Sequence, residues 1–361
     1  MKIVIDCFKQ VKGAGKSIGI YNLALNLVTN LIKEKNVSTN SEIKDSEIIV
    51  IGNEHNQYDF DMDGVTFVKE TRWNPLNKVH CVIWEMFVVP GVCKNLQADR
   101  VIFPRGYTAV THPVYDMVII HDMIPFYYNE NFPDEFNKIE NKYIMMRLKQ
   151  SIKSCKKVIT ISEASKAEIQ KYVKADESKI SVIYNGMNAL EEDIPASEEG
   201  GYISAITSYL PHKNAKGILQ AYAEYCQVAS EPLDLVVIGI SDTSLVELPQ
   251  DVERKITCHK YIKENRDLHA LIAGSEVFLF LSLAEGFGFP PIEAMELNVP
   301  VVCSNLSSLP EVVGDAAVLV NPENPVEVAE ALDVLIQDKQ KQAERVEKGK
   351  LNIERFSWES R

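Results

Sequence analysis

The sequence lacks the features of a disulfide-bonded, zinc-binding or membrane-spanning protein. Its seven cysteines are odd in number and scattered, and no two of them form a C-x-x-C pair. This usage is typical of a reducing compartment and excludes a disulfide framework. No apolar run approaches the roughly 18 residues that span a bilayer, and the N-terminal MKIVIDCF is too short for the apolar core of a signal peptide. We therefore expect a cytoplasmic protein.

The sequence also lacks a basic excess and a convincing metal-binding triplet. Its formal net charge is −13, which leaves no basic footprint for a nucleic acid backbone and excludes that class of partner. Asp61-Met62-Asp63 has the spacing of a metal-binding triplet, but its surroundings indicate a polar surface loop. We expect no metal and no cofactor. A helix expected over 131–157 ends in a basic run, which we interpret as a solvated face, with a docking face for anionic lipid as the alternative.

The length and the pattern of the chain predict two α/β domains. With 361 residues, each domain is large enough to bury its own core. Apolar strands alternate with helical segments, which favours parallel sheets. The stretch 189–201 is acidic and rich in small residues, so we interpret it as a linker between a domain at 1–190 and a second at 200–361.

The most informative stretch joins a strand predicted at 277–283 to another at 299–303. Between them, Glu285 stands in a turn with Gly286 and Gly288, and a double proline starts a helix with Glu293 in its first turn. The glycines permit close approach of a ligand, and the helix start offers unpaired N–H groups. With two acids beside it, this turn suits a ligand with a phosphate and hydroxyls, such as a nucleotide sugar. Alternatively, Glu293 only favours its helix dipole and Glu285 is a solvated loop acid.

Glu285 and Glu293 have seven residues between them, within the segments EGFGFPPIEAM, NVPVV and SSLPEVVGDAA. This stretch resembles the EX7E motif region of the retaining family 4 glycosyltransferases. The resemblance implies the GT-B fold, in which two Rossmann-like domains with parallel sheets face a central cleft, the first on the acceptor side and the second binding the nucleotide sugar. It implies that Glu293 holds the ribose and that Glu285 holds the sugar hydroxyls. The sugar ring and nearby phosphate would be held by the amides of Gly286, Phe287, Gly288 and Phe289.

Two stretches of the first half also resemble this family. The string GAGKS is no P-loop, because the position five residues before Gly15 is Gln10 and not glycine. Its continuation SIGIYNLALNL resembles the family's glycine-rich loop, which implies that Gly15 and Gly19 approach the donor; a tight turn with packing glycines is the alternative. IIHDMIP resembles the family's histidine motif, which implies that His121 contacts the donor sugar at the reacting centre. A strand at 80–84 is expected to lead into an aromatic segment at 84–87, which we interpret as core, with a wall of the acceptor site as the alternative.

In the second half, YLPHKNAKG resembles the family's phosphate-binding turn, and Lys213 matches its lysine. The expected arginine partner is missing, because the candidate positions carry Ser208 and His212; we expect a protonated His212 or another residue to substitute. A lysine cannot replace the bidentate grip of a guanidinium. The segment that faces the base in the family corresponds to Tyr261 and Ile262. The final FSWES resembles the start of a closing helix, which we expect to be short or absent here.

The resemblance therefore implies a retaining hexosyltransferase, with His121 and Glu285 at its catalytic centre. The donor would be a nucleotide-diphosphate sugar carrying a mannose- or rhamnose-like hexose. The acceptor would be a hydroxyl of a glycan or of a lipid-linked sugar, as in bacterial surface polysaccharide synthesis at the inner face of the membrane. Two alternatives stay open: a nucleotide-sugar epimerase on the same fold, and a non-catalytic subunit, which the missing arginine favours.

Overall fold

A computed structural model describes residues 1–12, 18–112, 114–188, 190, 194 and 201–358. The chain forms two compact units, Met1–Ile183 and Tyr184–Arg361. The predicted linker at 189–201 lies almost entirely outside the described residues, and so does Gly15 with the rest of the GAGKS string.

The first unit contains a parallel sheet of seven strands. Its order is β3-β2-β1-β4-β5-β6-β7, and every pairing in it is parallel. The strands are β1 (Lys2–Asp6), β2 (Glu47–Gly52), β3 (Val65–Lys69), β4 (Arg100–Phe103), β5 (Tyr115–Ile120), β6 (Lys157–Thr160) and β7 (Ile180–Val182). The central strands are runs of apolar residues because helices cover both faces of such a sheet.

The helices of the first unit differ from the sequence prediction in two places. They are α1 (Ile18–Val37), α2 (Ser41–Lys44), α3 (Gln57–Phe60), α4 (Lys78–Ile83), a π-helix (Trp84–Val88), α5 (Val89–Asn95), α6 (Ile124–Asn131), α7 (Lys138–Ser154), α8 (Glu163–Val173) and a 3₁₀ turn (Glu177–Lys179). The strand predicted at 80–84 is wrong: the side chain of Asn77 accepts from the N–H groups of Val79 and His80 and caps a helix there. The helix predicted over 131–157 is shorter and begins after Asn137, whose side chain caps α7.

The second unit repeats the same architecture. Its six-stranded sheet has the order β10-β9-β8-β11-β12-β13, again with parallel pairings. The strands are β8 (Tyr202–Ile206), β9 (Asp234–Ile238), β10 (Ile256–His259), β11 (Ser275–Phe280), β12 (Val301–Ser304) and β13 (Val318–Val320). The predicted class, α/β with a parallel sheet in each domain, is confirmed.

The helices of the second unit follow its strands in alternation. They are a 3₁₀ turn (Pro211–Lys213), α9 (Ala215–Val228), α10 (Gln250–Glu253), α11 (Asn265–Ala273), α12 (Phe289–Glu296), α13 (Leu309–Val313), α14 (Pro325–Gln337), α15 (Lys339–Ile353) and a 3₁₀ turn (Glu354–Phe356). Among the described residues, no helix of either unit is long and apolar enough to cross a membrane.

In each sheet the strand order reverses beside the first strand of the unit. The reversal falls between β1 and β4 in the first unit, and between β8 and β11 in the second. Loops that leave the carboxyl ends of two such strands diverge and leave a crevice, which is where open α/β sheets bind ligands. These two crevices are therefore the places to look for function, and each is described by itself below.

Candidate functional site

In the second unit, β8 leads into a turn that presents Lys213. The hydroxyl of Thr207 donates to the carbonyl of Lys213 at 2.8 Å, and the N–H of Lys213 donates to the carbonyl of Leu210 at 2.8 Å. These hydrogen bonds form a tight turn over residues 207–213, directly after β8. The backbone that carries the lysine is thus fixed at the carboxyl edge of the sheet.

Asn214 follows and ties this turn to its surroundings. Its backbone is left-handed, with φ 55° and ψ 41°, and its side-chain oxygen accepts from the N–H of Gly217 at 3.1 Å, which caps α9. Its side-chain nitrogen donates to the carbonyls of Leu281, at 3.1 Å, and Pro322, at 3.0 Å. A Cβ at Gly217 would lie 2.4 Å from the Asn214 side chain. The side-chain amide of Asn214 therefore joins three segments: the turn at 209–217, called the phosphate-type turn below, the end of β11 and the segment after β13.

The turn that carries Glu285 is held by two serines from the loop after β12. The hydroxyl of Ser307 accepts from the N–H of Glu285 at 3.1 Å and donates to its carbonyl at 2.8 Å. The fully buried hydroxyl of Ser308 donates to the carbonyl of Phe287 at 2.7 Å. Neither serine is among the predicted site residues, although both stand in the SSLPEVV segment that resembles the family.

The structure brings Lys213 and Glu285 together. The Lys213 Nζ lies 2.6 Å from the Glu285 Oε1, with side-chain exposures of 28% and 12%. Glu285 is therefore not the solvated loop acid of the alternative interpretation. Because the pair is reachable, a phosphate could bind the ammonium and a hydroxyl could bind the carboxylate at one place.

The start of α12 offers backbone donors beside this ion pair. Gly288 takes φ 110°, and a Cβ there would lie 2.5 Å from the Leu309 Cδ2, so the position requires glycine. Within the described part of the chain, no group accepts a hydrogen bond from the N–H of Phe287 or Gly288. The ring of Phe287 is buried, and its centroid lies 5.4 Å from that of Phe356. Phe287 can thus contribute its amide to a ligand but not its ring.

Glu293 does not lie where the sequence placed it. The helix begins at Phe289, so Glu293 is its fifth residue and lies in the second turn, beyond the orphan N–H groups of the first. Burial, assisted by the nearby Glu296 carboxylate, raises the pKa of Glu293 to about 7. None of the described residues donates a hydrogen bond to this carboxyl. The helix-dipole interpretation is therefore wrong, because the effect of the dipole falls off within the first turn of a helix and Glu293 lies beyond it.

The predicted substitution of the missing arginine by a protonated His212 is also wrong. His212 is buried, and burial together with the adjacent Lys213 lowers its pKa to about 4. Its carbonyl accepts from the N–H of Leu283 at 2.7 Å and from the hydroxyl of Ser282 at 3.0 Å. His212 is a neutral residue that joins two loops, and it supplies no positive charge at neutral pH.

Tyr261 and Ile262 follow β10 at the edge of the sheet. Tyr261 is exposed, and β10 stands three strands from β11, which corresponds to about 14 Å. Among the described residues, no hydrogen bond or ring contact connects Tyr261 to Lys213 or Glu285. The contact of Tyr261 and Ile262 with a nucleotide base stays a prediction.

In the first unit, His121 follows β5 and its ring is held by the chain after β4. The imidazole Nε2 lies 2.7 Å from the carbonyl oxygen of Pro104 and donates to it, which leaves Nδ1 as an acceptor. Burial, with a contribution from Arg105, lowers the pKa of His121 to about 4. Asp122 accepts from the N–H of Ile124 at 3.0 Å at the start of α6. His121 is therefore a neutral, oriented ring at neutral pH, and its role towards a sugar stays a prediction.

Gly19 lies inside a helix, whereas the sequence placed it in a turn. It is the second residue of α1, and a Cβ at this position would meet no described atom within 4 Å. Among the described residues, no packing contact requires a glycine at position 19. A glycine without a packing reason in a helix is consistent with the predicted approach of a ligand.

We expect Gly19→Ala to change the free energy of unfolding and the KM for the donor in ways that distinguish a structural role of this glycine from a role in donor binding. The variant should gain up to about 1 kcal/mol of unfolding free energy, because alanine favours a helix over glycine, and its KM for the donor should rise. Gly91→Ala is the matched control, since Gly91 is also helical with no atom within 4 Å of its Cβ position. Thermal unfolding and donor titration measure both effects. An unchanged KM in Gly19→Ala would contradict the donor-loop role.

Within the described ranges, no group of three or more His, Cys, Asp or Glu side chains could hold a metal ion. Asp61 is the C-cap residue that follows the short helix α3, and no such group includes it. The predicted metal independence of the reaction is a question for experiment.

The fold and the two crevices define a doubly wound α/β protein with a phosphate-type turn in its second half. The family model Glycosyltransferase Family 4 matches residues 59–189, and the model Glycosyl transferases group 1 matches residues 187–352. The two models together cover residues 59–352, and the chain belongs to the family 4 glycosyltransferases.

Two curated relatives of this chain are named as mannosyltransferases of bacterial O-antigen chains. The O-antigen chain mannosyltransferase RfbU of Salmonella typhimurium is 35% identical over 212 residues, which are 57% of this chain and 57% of that protein. The O-antigen chain mannosyltransferase B of Escherichia coli is 30% identical over 246 residues, 63% of this chain and 64% of that protein. The chain thus matches less than two thirds of the length of each of these relatives.

Solved structures agree on the fold over the whole length. Sucrose-phosphate synthase from Thermosynechococcus elongatus has a TM-score of 0.70 at 16% identity and covers 100% of this chain and 96% of its own. Anabaena HepE in complex with UDP and glucose has a TM-score of 0.64 at 16% identity, and the match covers 99% of this chain and 96% of HepE. The fold is that of the GT-B glycosyltransferases, as expected from the sequence.

Proposed function

We propose that the chain transfers a hexose from a nucleotide-diphosphate sugar to a hydroxyl of a glycan or lipid-linked acceptor, with retention at the anomeric carbon. The observation that carries this proposal is the Lys213–Glu285 ion pair of 2.6 Å, which joins the turn after β8 to the turn before α12. A donor that brings both a diphosphate and sugar hydroxyls satisfies each member of the pair separately. The N–H groups of Phe287 and Gly288 add neutral donors for the phosphate or the ring.

The reaction breaks the bond between the anomeric carbon and the diphosphate oxygen. That oxygen takes the bonding electrons, so negative charge develops on the leaving nucleoside diphosphate. The acceptor oxygen forms the new bond on the same face, and its proton passes to the leaving phosphate. Lys213 and the turn amides stabilise the developing charge, while Glu285 holds the sugar hydroxyls. No step in this sequence requires a metal ion.

The neutral His121 would contribute as an oriented ring. With Nε2 donating to the carbonyl of Pro104, Nδ1 can accept a hydrogen bond from a hydroxyl of the donor sugar. A pKa lowered to about 4 keeps this acceptor available at every pH above about 5. His121 thus binds the sugar but does not act as a general acid at neutral pH.

The named relatives favour mannose as the transferred hexose, because both are called O-antigen chain mannosyltransferases. HepE, whose structure was solved with UDP and glucose, supports a nucleotide-sugar donor. Surface polysaccharide synthesis is therefore the proposed setting. Family membership disfavours the epimerase alternative, and the neutral His212 leaves the non-catalytic subunit as the rival to test.

A thermal-shift panel of UDP, GDP, dTDP and ADP, each with and without magnesium, tests the donor part of this proposal. A nucleotide present at a hundred times its Kd should add about 2.7 kcal/mol of stability. We expect one clear responder that needs no magnesium, followed by release of that nucleotide from the matching mannose donor when an acceptor is added. Binding without turnover on any acceptor would favour the non-catalytic subunit, and no response to any nucleotide would contradict the proposed donor site.

A further inference from the structure

A polar recess lies at the strand-order reversal of the first unit, outside the donor residues described above. It is lined by residues at and just after the carboxyl ends of β1 and β4 and by Glu85 of the π-helix. It offers about 10 Å³ to a water-sized group, which is room for one water or one hydroxyl. Pro104, whose carbonyl orients His121, is also one of the lining residues.

The π-helix Trp84–Val88 is the first unusual feature here, since π-helices are rare and often mark functional sites. The indole of Trp84 is fully buried and stacks on Phe8, with 4.3 Å between the ring centroids. Its N–H donates to the two carboxylate oxygens of Asp6 at 3.1 and 3.2 Å. Trp84 is thus core, as the sequence predicted, whereas the prediction is wrong for Phe87 of the same segment, which is 64% exposed. Glu85 lines the recess.

The second feature is the Lys9–Glu85 ion pair, in which both side chains can form further hydrogen bonds. Glu85, 6% exposed, pairs through Oε1 with the ammonium of Lys9, which also lies 5.3 Å from the ring centroid of Tyr107. In the described structure, no other group donates to the second oxygen of Glu85, and no other group accepts from Lys9. Lys9 therefore has two donors to spare and Glu85 one acceptor. A hydroxyl, which donates once and accepts, matches this combination.

The charges around the recess compensate one another. Asp6 and Glu85 oppose Lys9 and Arg105, so the lining carries no excess positive charge for a phosphate. Such a balanced, mostly desolvated set of charges favours a neutral ligand that exchanges hydrogen bonds with both signs.

The loop that carries Lys9 is fixed from several sides. The side chain of Asn53 donates to the carbonyl of Phe8 at 2.7 Å, and that of Asn56 donates to the carbonyl of Cys7 at 2.8 Å. The guanidinium of Arg105 donates to the carbonyl of Lys9 at 2.7 Å. The loop is therefore held in place before any ligand binds, which is what a precise binding site requires.

We propose that this recess binds a hydroxyl of an uncharged sugar, with Lys9 donating to the hydroxyl oxygen and Glu85 accepting its hydrogen. The inference rests on the proposed function in one respect: we interpret that sugar as the end of the acceptor. The lack of excess positive charge assigns the recess to a neutral sugar unit of the acceptor and not to a phosphate.

Saturation-transfer NMR on the full chain tests the recess without any donor. The probes are the methyl glycosides of mannose, rhamnose, galactose and glucose, with inorganic phosphate as the anionic competitor. We expect at least one glycoside to bind, phosphate not to displace it, and Glu85→Gln to raise its Kd by roughly tenfold or more, as for loss of a charge-assisted hydrogen bond. Glu130→Gln is the matched control, because Glu130 pairs with Lys171 at 2.8 Å on the exposed surface of the same unit.

A second variant guards against misfolding. Lys9→Leu with Glu85→Leu removes both charges together and leaves no unpaired buried charge, and it should also abolish glycoside binding. Absence of binding by all four glycosides, displacement by phosphate, or equal affinity in the native protein and both recess variants would overturn the proposal. The nucleotide thermal shift is measured in parallel and should be unchanged in Glu85→Gln, so failure of the donor site and failure of the recess are separate results.

Discussion

Lys213→Ala is expected to lower kcat about a hundredfold at saturating donor, because one well-aimed donor to a developing negative charge contributes roughly 3 kcal/mol to the transition state. Two contributions combine in this variant. The leaving diphosphate loses its positively charged partner, and Glu285, whose Oε1 lies 2.6 Å from the Lys213 Nζ, keeps its negative charge without compensation beside the phosphates. Release of nucleoside diphosphate in the presence of acceptor measures the effect.

Lys339→Ala is the control for this prediction. Lys339 also pairs with a glutamate, Glu276, at 2.6 Å in the second unit, but the pair lies on the surface away from the turns of the site. We expect its turnover to be unchanged, since exposed ion pairs contribute little. A Lys213→Ala enzyme with native turnover would show that the diphosphate is held elsewhere and would remove the observation on which the proposed function depends.

The second large effect concerns pH and Glu293. If the ionised carboxylate binds the ribose hydroxyls, a pKa of about 7 means that nucleotide affinity rises as the pH rises and levels off above that value. About 1% of the group is ionised two pH units lower, so the affinity at pH 5 should be about a hundredfold below that at pH 8. Calorimetric titration of the nucleotide that responds in the thermal-shift panel measures this profile.

Glu293→Gln isolates the contribution of this residue from the titration of the phosphates themselves. The variant should bind weakly at pH 8 and should lack the additional rise that the native protein shows between pH 5 and 8. A native profile identical to that of Glu293→Gln would contradict the ribose role.

The same substitution should stabilise the fold, with a definite sign. The unfolded chain loses the Glu293 proton near pH 4.5, whereas the folded chain keeps it to about 7, so ionisation destabilises the folded state as the pH rises between these values. Glu293→Gln should therefore raise the free energy of unfolding at pH 8 by roughly 1–3 kcal/mol and leave it nearly unchanged at pH 4. A functional residue that costs stability is common at binding sites.

The sequence was sufficient for the fold and for the parts of the site that depend on local pattern. The apolar run before Glu285 becomes β11, the double proline stands at the start of α12, and the next apolar run becomes β12. Such strands are predictable because both faces of a parallel sheet are buried. Glu285 was singled out from the glycines and prolines of its turn, and Lys213 from the resemblance of YLPHKNAKG to the family's phosphate-binding turn.

The remaining features depend on contacts that no local pattern contains. The partners Lys213 and Glu285 are 72 residues apart, so the ion pair is a result of the strand order. The hydrogen bond from Ser282 to the carbonyl of His212 likewise joins residues 70 apart, and the burial that lowers the pKa of His212 is not contained in the local sequence. The strand predicted at 80–84 failed because an asparagine cap outweighs a short apolar run. The Lys9–Glu85 recess required the π-helix, for which a single sequence offers no signal.

Asn214 has a consequence for how freely the phosphate-type turn can vary. The position needs a left-handed backbone, an acceptor for the N–H of Gly217 and a nitrogen that can donate to two carbonyls. Glycine meets the first demand but has no side chain, and aspartate meets the first two but would set a carboxylate against two carbonyl oxygens. In a library covering all amino acids at this site, asparagine alone should survive selection. The positive charge of this turn comes from Lys213, whereas its attachment to β11 and to the segment after β13 comes from the uncharged Asn214.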